Sequence, residues 1–464
     1  LASAEQIETG PEGVIPNPLL EAWVTPFGLP PFDRLTPDHF RPAFDRALAE
    51  HRAEIAAIAG NPASPTFANT VDAFQRAGRT LDRVAAVFFG LAGAHTSDAL
   101  QAVQREIAPV LARHRSVIFL DTALFRRVDD LFAQRERLGL TPEQARVLER
   151  LHAAFVRAGV RLDGIAREGL SAIDERLAAL GTLFGQNVLA DERAWVLVLE
   201  TEEDLAGLPD FVCAAAARAA ADRGLEGKHA ITLARSSVVP FLQFSSRRDL
   251  RERAFAAWAS RGDNGGDTDN KTIAAETLAL RAERARLLGY PTYAHYRLDD
   301  TMAKTPEAVR GLLERVWAPA RALALRERDE LEAAVVEEGG NFAMAPWDWR
   351  HYAEKVRRAR HDLDETEIKP YLQLDNMVAA AFDVAHRLFG ISFTELDGLP
   401  VYHPDVRVWE VRDAGGRHVG LFLGDYFARP TKRSGAWMGA LRTQERLSGD
   451  VRPIVVNVTN FAKG

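Results

Sequence analysis

Gly424-Asp425-Tyr426-Phe427-Ala428-Arg429-Pro430 runs through Thr431 into Lys432-Arg433-Ser434-Gly435-Ala436-Trp437-Met438, and Val456-Asn457-Val458-Thr459-Asn460-Phe461 follows. These short apolar runs, broken by Gly, Pro and charge, carry a strand pattern rather than a helical one. Residues 434–440 and 453–461 are therefore expected to be extended. Just upstream, residues 406–411 and 418–423 flank Asp413-Ala414-Gly415-Gly416, which reads as the turn of a hairpin. A small sheet is expected between Val406 and Phe461.

Working outward, the rest of the chain is mostly helical in pattern. Thr36-Pro37, Thr141-Pro142 and Thr305-Pro306 each set a capping hydroxyl before a proline at the first helical position. Gln144, three residues after Thr141, completes a capping box. Val309, Leu312, Leu313, Val316 and Leu323 recur at helical spacing, and Pro319 is expected to kink that helix. A helix through Leu278, Leu280 and Leu287 should stop at Leu288-Gly289, ahead of Pro291. Residues 195–199 form one short apolar run, expected as a strand. The fold class is mostly α, with a small antiparallel β-sheet near the C-terminal end.

The chain has 464 residues, of which 47% are apolar and 27% charged, as in ordinary globular proteins. A formal charge of −7 gives no argument for nucleic acid or an anionic membrane as partner. No apolar stretch is long enough to span a bilayer. The single cysteine, Cys213, sits in an apolar run and reads as a small buried hydrophobe. The chain begins at Leu1 rather than Met and shows no signal-peptide pattern. The expected location is cytoplasmic, with the periplasm as the alternative.

Complete catalytic motifs are missing from the sequence. The closest of the twelve histidines, His351 and His361, are ten residues apart, whereas a zinc helix places two of them four apart with a glutamate between. A calcium loop starting at Asp267 would require Gly and Glu where Thr272 and Leu278 stand, so Asp269 or Asn270 reads instead as the cap of the next helix. Gly227-Lys228 lacks the remainder of a phosphate loop, and no Gly-x-Ser-x-Gly elbow is present.

The C-terminal third is denser in distinctive sequence. Pro346-Trp347-Asp348-Trp349, Tyr352-Ala353-Glu354-Lys355, Phe389-Gly390-Ile391 and Tyr402-His403-Pro404-Asp405-Val406 precede the runs quoted first. In this order they resemble the dipeptidyl carboxypeptidase branch of the thimet oligopeptidase family of zinc metallopeptidases. Asn17-Pro18-Leu19-Leu20, Pro30-Pro31-Phe32 and Arg281-Ala282-Glu283-Arg284-Ala285 extend the resemblance over the whole chain.

The resemblance implies a two-lobed helical fold with a deep channel. It also implies a zinc cofactor held by a His-Glu-x-x-His helix that, in the family, follows the segment matching Asn460-Phe461. Residues 1–240 would form an N-terminal helical region and 241–464 the first part of the catalytic region, with the zinc ligands beyond Gly464. Dipeptide release from short peptide substrates is the implied activity, and this segment by itself is expected to be inactive. The expected partners are those peptides and the C-terminal segment carrying the zinc helix. Without that segment, a large apolar surface should be exposed.

The resemblance also implies that Ser434, Gly435, Ala436 and Trp437 bind substrate as an edge strand. The physics agrees, since an unpaired edge offers amides and carbonyls to any extended peptide. Trp437 and Met438 read equally as core residues of the sheet. Arg429, Lys432 and Arg433 read either as cations facing an anionic substrate end or as a solvated loop. His403 and Asp405 read as a turn, and Trp347, Trp349 and Tyr352 as helix core. A truncated, inactive peptide-binding protein and a helical scaffold are the alternative readings.

Overall fold

A computed structural model describes residues 16–362 and 364–463. Leu1 and Gly464, on which the expectations about the chain ends rest, lie outside the described residues. The caps at Thr141 and Thr305 form as the sequence demands, whereas Thr36 makes no side-chain cap bond ahead of the short turn Pro37–His39. Thr141 Oγ1 accepts from Gln144 N at 3.2 Å while Gln144 Oε1 accepts from Thr141 N at 3.0 Å, opening the helix Pro142–Ala158. Thr305 Oγ1 accepts from Ala308 N at the head of the helix Pro306–Glu337. Asp269 Oδ1 accepts from Lys271 N at 2.8 Å and so caps the helix Lys271–Leu287. The Asn270 side chain is committed elsewhere: its Oδ1 accepts from Asn187 Nδ2 at 2.9 Å and its Nδ2 donates to Phe184 O at 3.1 Å. Gly289, at φ +78°, carries the chain past the end of that helix.

Some side chains sit differently from expectation. The helix Pro306–Glu337 passes through Pro319 as one element. Leu312, Leu313, Val316 and Trp317 on it are more than half exposed, whereas Leu331 and Val335 near its end pack with Tyr352. Tyr352 is core as expected. Trp347 is only half-buried and Trp349 is exposed, because the helix Trp349–His361 buries its His351–Tyr352 side. Cys213 is half-buried rather than buried on the surface helix Asp210–Ala221, and burial pushes its thiol pKa up.

Strand β1 (Val196–Leu199) pairs antiparallel with β2 (His229–Thr232) in a small separate sheet. The main sheet contains β3 (Ser392–Leu396), β4 (Arg407–Arg412), β5 (His418–Phe427), β6 (Trp437–Arg442) and β7 (Ile454–Phe461). Its order is β3-β4-β5-β7-β6. The β3–β4, β4–β5 and β6–β7 pairs are antiparallel, while β5 and β7 run parallel. The predicted hairpin is β4–β5: Asp413 and Gly416 close its turn, and Gly416 takes φ +76°. The sequence reading did not include β3, a half-exposed edge segment with little apolar content.

One face of this sheet builds the largest core. Val406, Val408, Leu421, Leu423, Leu441, Ile454, Val456 and Val458 pack with Leu19, Leu29, Phe40, Phe44, Phe88 and Ile107 from the first quarter of the chain. On the opposite face, Phe393, Trp409 and Phe422 cluster with Phe382 of the helix Leu374–Phe389.

Candidate functional site

β6 lies at the edge of the main sheet with β7 as its sheet neighbour. Side chains alternate along it: Trp437 is half-buried, Met438 exposed, Gly439 half-buried, Ala440 exposed and Leu441 buried. The inward side chains meet the helix Arg79–Ala94 at two glycines. A Cβ on Gly93 would stand 3.5 Å from the Trp437 ring, and one on Gly90 would stand 3.4 Å from Leu441. A methyl at either position would thus touch the strand side chains at ordinary contact distance, and a longer side chain would run into them. In an antiparallel ladder alternate residues direct their backbone groups away from the partner, so the outer side of β6 presents a row of amides and carbonyls.

The sequence-predicted residues fall at the entry to this strand. Ser434 is half-buried and lines a cleft. Gly435 takes φ +100°, and no atom lies within 4 Å of where its Cβ would be. Ala436 is exposed. These residues precede the ladder, which begins at Trp437 opposite Val458. The Trp437 ring carries the Arg433 guanidinium at 4.6 Å on one side and turns towards Gly93, so it contributes packing as well as backbone.

Arg429 and Lys432 correct the sequence reading, since neither belongs to a solvated loop. Asp425 on β5 is fully buried, and both cations converge on it. Arg429 donates to its carboxylate oxygens at 2.8 and 2.6 Å, Lys432 Nζ at 2.8 Å and the Tyr402 hydroxyl at 2.8 Å. Burial raises the Asp425 pKa, but the bonds from Arg429 and Lys432 outweigh it and hold the pKa below the usual carboxylate range. Arg429 also donates to Ala94 O at 2.7 Å. The exposed cation of the predicted trio is Arg433.

The backbone of the same connection is tied to the end of the helix Arg79–Ala94. Thr96 N donates to Thr431 O and Arg433 N to Gly93 O, each at 2.8 Å. His95 Nδ1 lies 3.1 Å from Thr431 Oγ1, and its ring is 5.2 Å from that of His403. His403 and Asp405 form the expected turn, in which Val406 N donates to His403 O. The one available clue to the pairing of Asp425 with Arg429 and Lys432 was an aspartate inside an apolar strand, with basic residues four and seven positions later.

The cleft beside Ser434 is lined by residues from both halves of the chain, among them Arg193, Arg218, Arg235, Asn460 and Lys463. Arg193 Nε donates to Pro430 O at 2.7 Å, Arg218 pairs with Asp222 and Lys463 with Asp405. Among the described residues, no group of three or more His, Cys, Asp or Glu side chains is placed to hold a metal ion. The arrangement offers a backbone edge, a cleft lined in part by cations at its entry and a hydrogen-bonded support beneath.

Comparison with known proteins adds the following. The profile of "Peptidase family M3" matches residues 241–464. The chain is 40% identical over 448 residues to dipeptidyl carboxypeptidase of Escherichia coli (strain K12), covering 96% of this chain and 66% of that protein. It is 30% identical over 451 residues to oligopeptidase A of Salmonella typhimurium, with the same coverage. Organellar oligopeptidase A of Arabidopsis thaliana is 29% identical over 93% of this chain and 55% of that protein. The chain thus spans just under two thirds of the length of the curated relatives it matches best among these.

Proposed function

Because the chain belongs to peptidase family M3, we propose that it is the first part of a zinc metallopeptidase that releases dipeptides from the free C-terminus of short peptides. Residues 1–240 form the N-terminal helical region in this reading, and 241–464 begin the catalytic region. The observation that carries it is the open edge of β6, entered through Ser434, Gly435 and Ala436. Main-chain pairing along an edge gives affinity without reading side chains, which suits an enzyme acting on many peptides. Trp437 begins that edge, and its packed ring holds the backbone in place.

Zinc is the cofactor of the complete enzyme in this proposal. Its ligands and general base are assigned to the part of the relatives' length that this chain does not span. A zinc ion supplies Lewis acidity and an activated water when bound. The residues of this chain bind and orient the substrate backbone, and hydrolysis is not assigned to them alone. The segment that brings the metal is the partner proposed for the exposed apolar side of the helix Pro306–Glu337. Among the described residues, no helix is long and apolar enough to cross a membrane. The compartment proposed is the cytoplasm, with the periplasm as the alternative.

Calorimetric titration with N-acetyl-tetra-alanine and with its N-methylated counterpart tests the edge. The expected result is binding of the first and a loss of about tenfold or more for the second, because methylation removes the pairing amides. Equal affinities, or no binding of either, would defeat the proposal. Dipeptide release by the gene product in its full extent, followed by mass spectrometry with and without zinc, separates a peptidase from a protein that only binds.

A further inference from the structure

We infer that Lys432 is a positioning residue for the β6 edge, its buried ammonium joining the ends of β5 and β7 to the connection that delivers Ser434, Gly435 and Ala436 to the strand. The inference rests on the reading of β6 as a substrate edge and names the group that holds that edge in place.

The geometry is specific to Lys432. Its side chain is fully buried. Nζ lies 2.6 Å from Phe427 O at the end of β5, 3.0 Å from Thr459 O near the end of β7, 3.1 Å from Asp425 O and 2.8 Å from Asp425 Oδ1. An ammonium has three protons, so these four acceptors share them and constrain the nitrogen from several directions. β5 and β7 run parallel here, and Lys432 bridges their carbonyls as they leave the ladder.

Two further contacts carry that constraint along the connection. Asn460 Nδ2, on β7, donates to Arg433 O at 3.0 Å and to Gly435 O at 2.6 Å. Arg433 N is held by Gly93 O at 2.8 Å. The chain from Lys432 to Gly435 is therefore fixed on both sides, although the space around Gly435 is open. Arg429 and Tyr402 meet the same carboxylate, but neither reaches the strand ends as Lys432 does.

Lys432→Met is the informative change. Asp425 keeps Arg429 and Tyr402, so its charge is not stranded, while Phe427 O and Thr459 O lose their donor. Hydrogen exchange followed by mass spectrometry should show the 428–442 segment exchanging about tenfold or more faster, with the helix Gly164–Ala194 unchanged. Affinity for N-acetyl-tetra-alanine should fall in step with that exchange. Lys432→Arg, a charged donor with several protons, should recover part of both losses. Tyr402→Phe, which removes a bond to Asp425 but none to the strand ends, should change each by less than about twofold.

Unchanged exchange at 428–442 in Lys432→Met would overturn the inference. So would a uniform rise across the whole molecule, or loss of the fold in both Lys432 variants, since either marks a general stabilising role. If the parent chain binds no peptide, the substrate-edge reading fails, and the exchange pattern still decides whether Lys432 positions β6.

Discussion

At the scale of single residues, buried titratable groups divide into those with charged partners and those held neutral. Against the cost of burial, Asp425 keeps its charge through Arg429 and then Lys432, whereas burial pushes Lys432 itself down to about 8 with the bond to Asp425 opposing the fall. His114 and His351 are buried without such help, and burial pushes both down to about 4. His114 Nε2 meets His51 Nδ1 at 3.0 Å, and its own Nδ1 has no partner among the described residues. His351 has Gln243 O at 3.2 Å from Nδ1, with Arg251 nearby opposing a second positive charge. In the unfolded chain both imidazoles take up a proton near the ordinary value of about 6.5. Their contribution is thus full above that pH and is lost as pH falls towards 4, by on the order of 3 kcal/mol for each. Urea unfolding at pH 7.5, 6 and 4.5 should show this decline, and a His114→Gln, His351→Gln double variant should show a shallower one. What could be read in advance at this scale was local. Thr141 and Gln144 stand three residues apart, so sequence displays the whole cap. Arg429 finds Ala94 O across 335 positions, and no window on the chain contains that pair.

At the scale of elements, β6 depends on the helix behind it. Its hairpin-like neighbours were readable because turn chemistry and alternating apolar residues lie together between Val406 and Phe461. The start of the strand at Trp437, three residues later than expected, was not readable, because the bonds that hold Ser434 to Ala436 out of the ladder come from Asn460 and Gly93. Gly90 and Gly93 face Leu441 and Trp437 with room for little more than a methyl, and in sequence they look like helix weaknesses. Gly93→Leu should force Trp437 out of its seat and destabilise the protein by about 1–3 kcal/mol, despite a gain in helix propensity. Thermal unfolding together with tryptophan emission checks this; a rise in Tm with unchanged emission would contradict it.

At the scale of the whole molecule, polar and apolar surfaces are unevenly shared. The helix Pro306–Glu337 presents Leu312, Leu313, Val316 and Trp317 to solvent along one stripe. Such a stripe marks a contact surface or a liability for association. Sedimentation velocity should show self-association growing with concentration, and a Leu313→Glu, Trp317→Glu double variant should lessen it with little change in Tm. The helical character of this segment was legible from spacing alone, but spacing cannot say which neighbour covers the stripe. The first and last parts of the described chain also meet. Arg442 Nη2 donates to Phe27 O at 2.9 Å across 415 positions, and Leu19 shares a core with Val458. A ribosome must therefore release nearly the whole of this sequence before its largest core can close. The early helices wait with an apolar face open, so folding should be slow for a helical protein and sensitive to chaperones during synthesis.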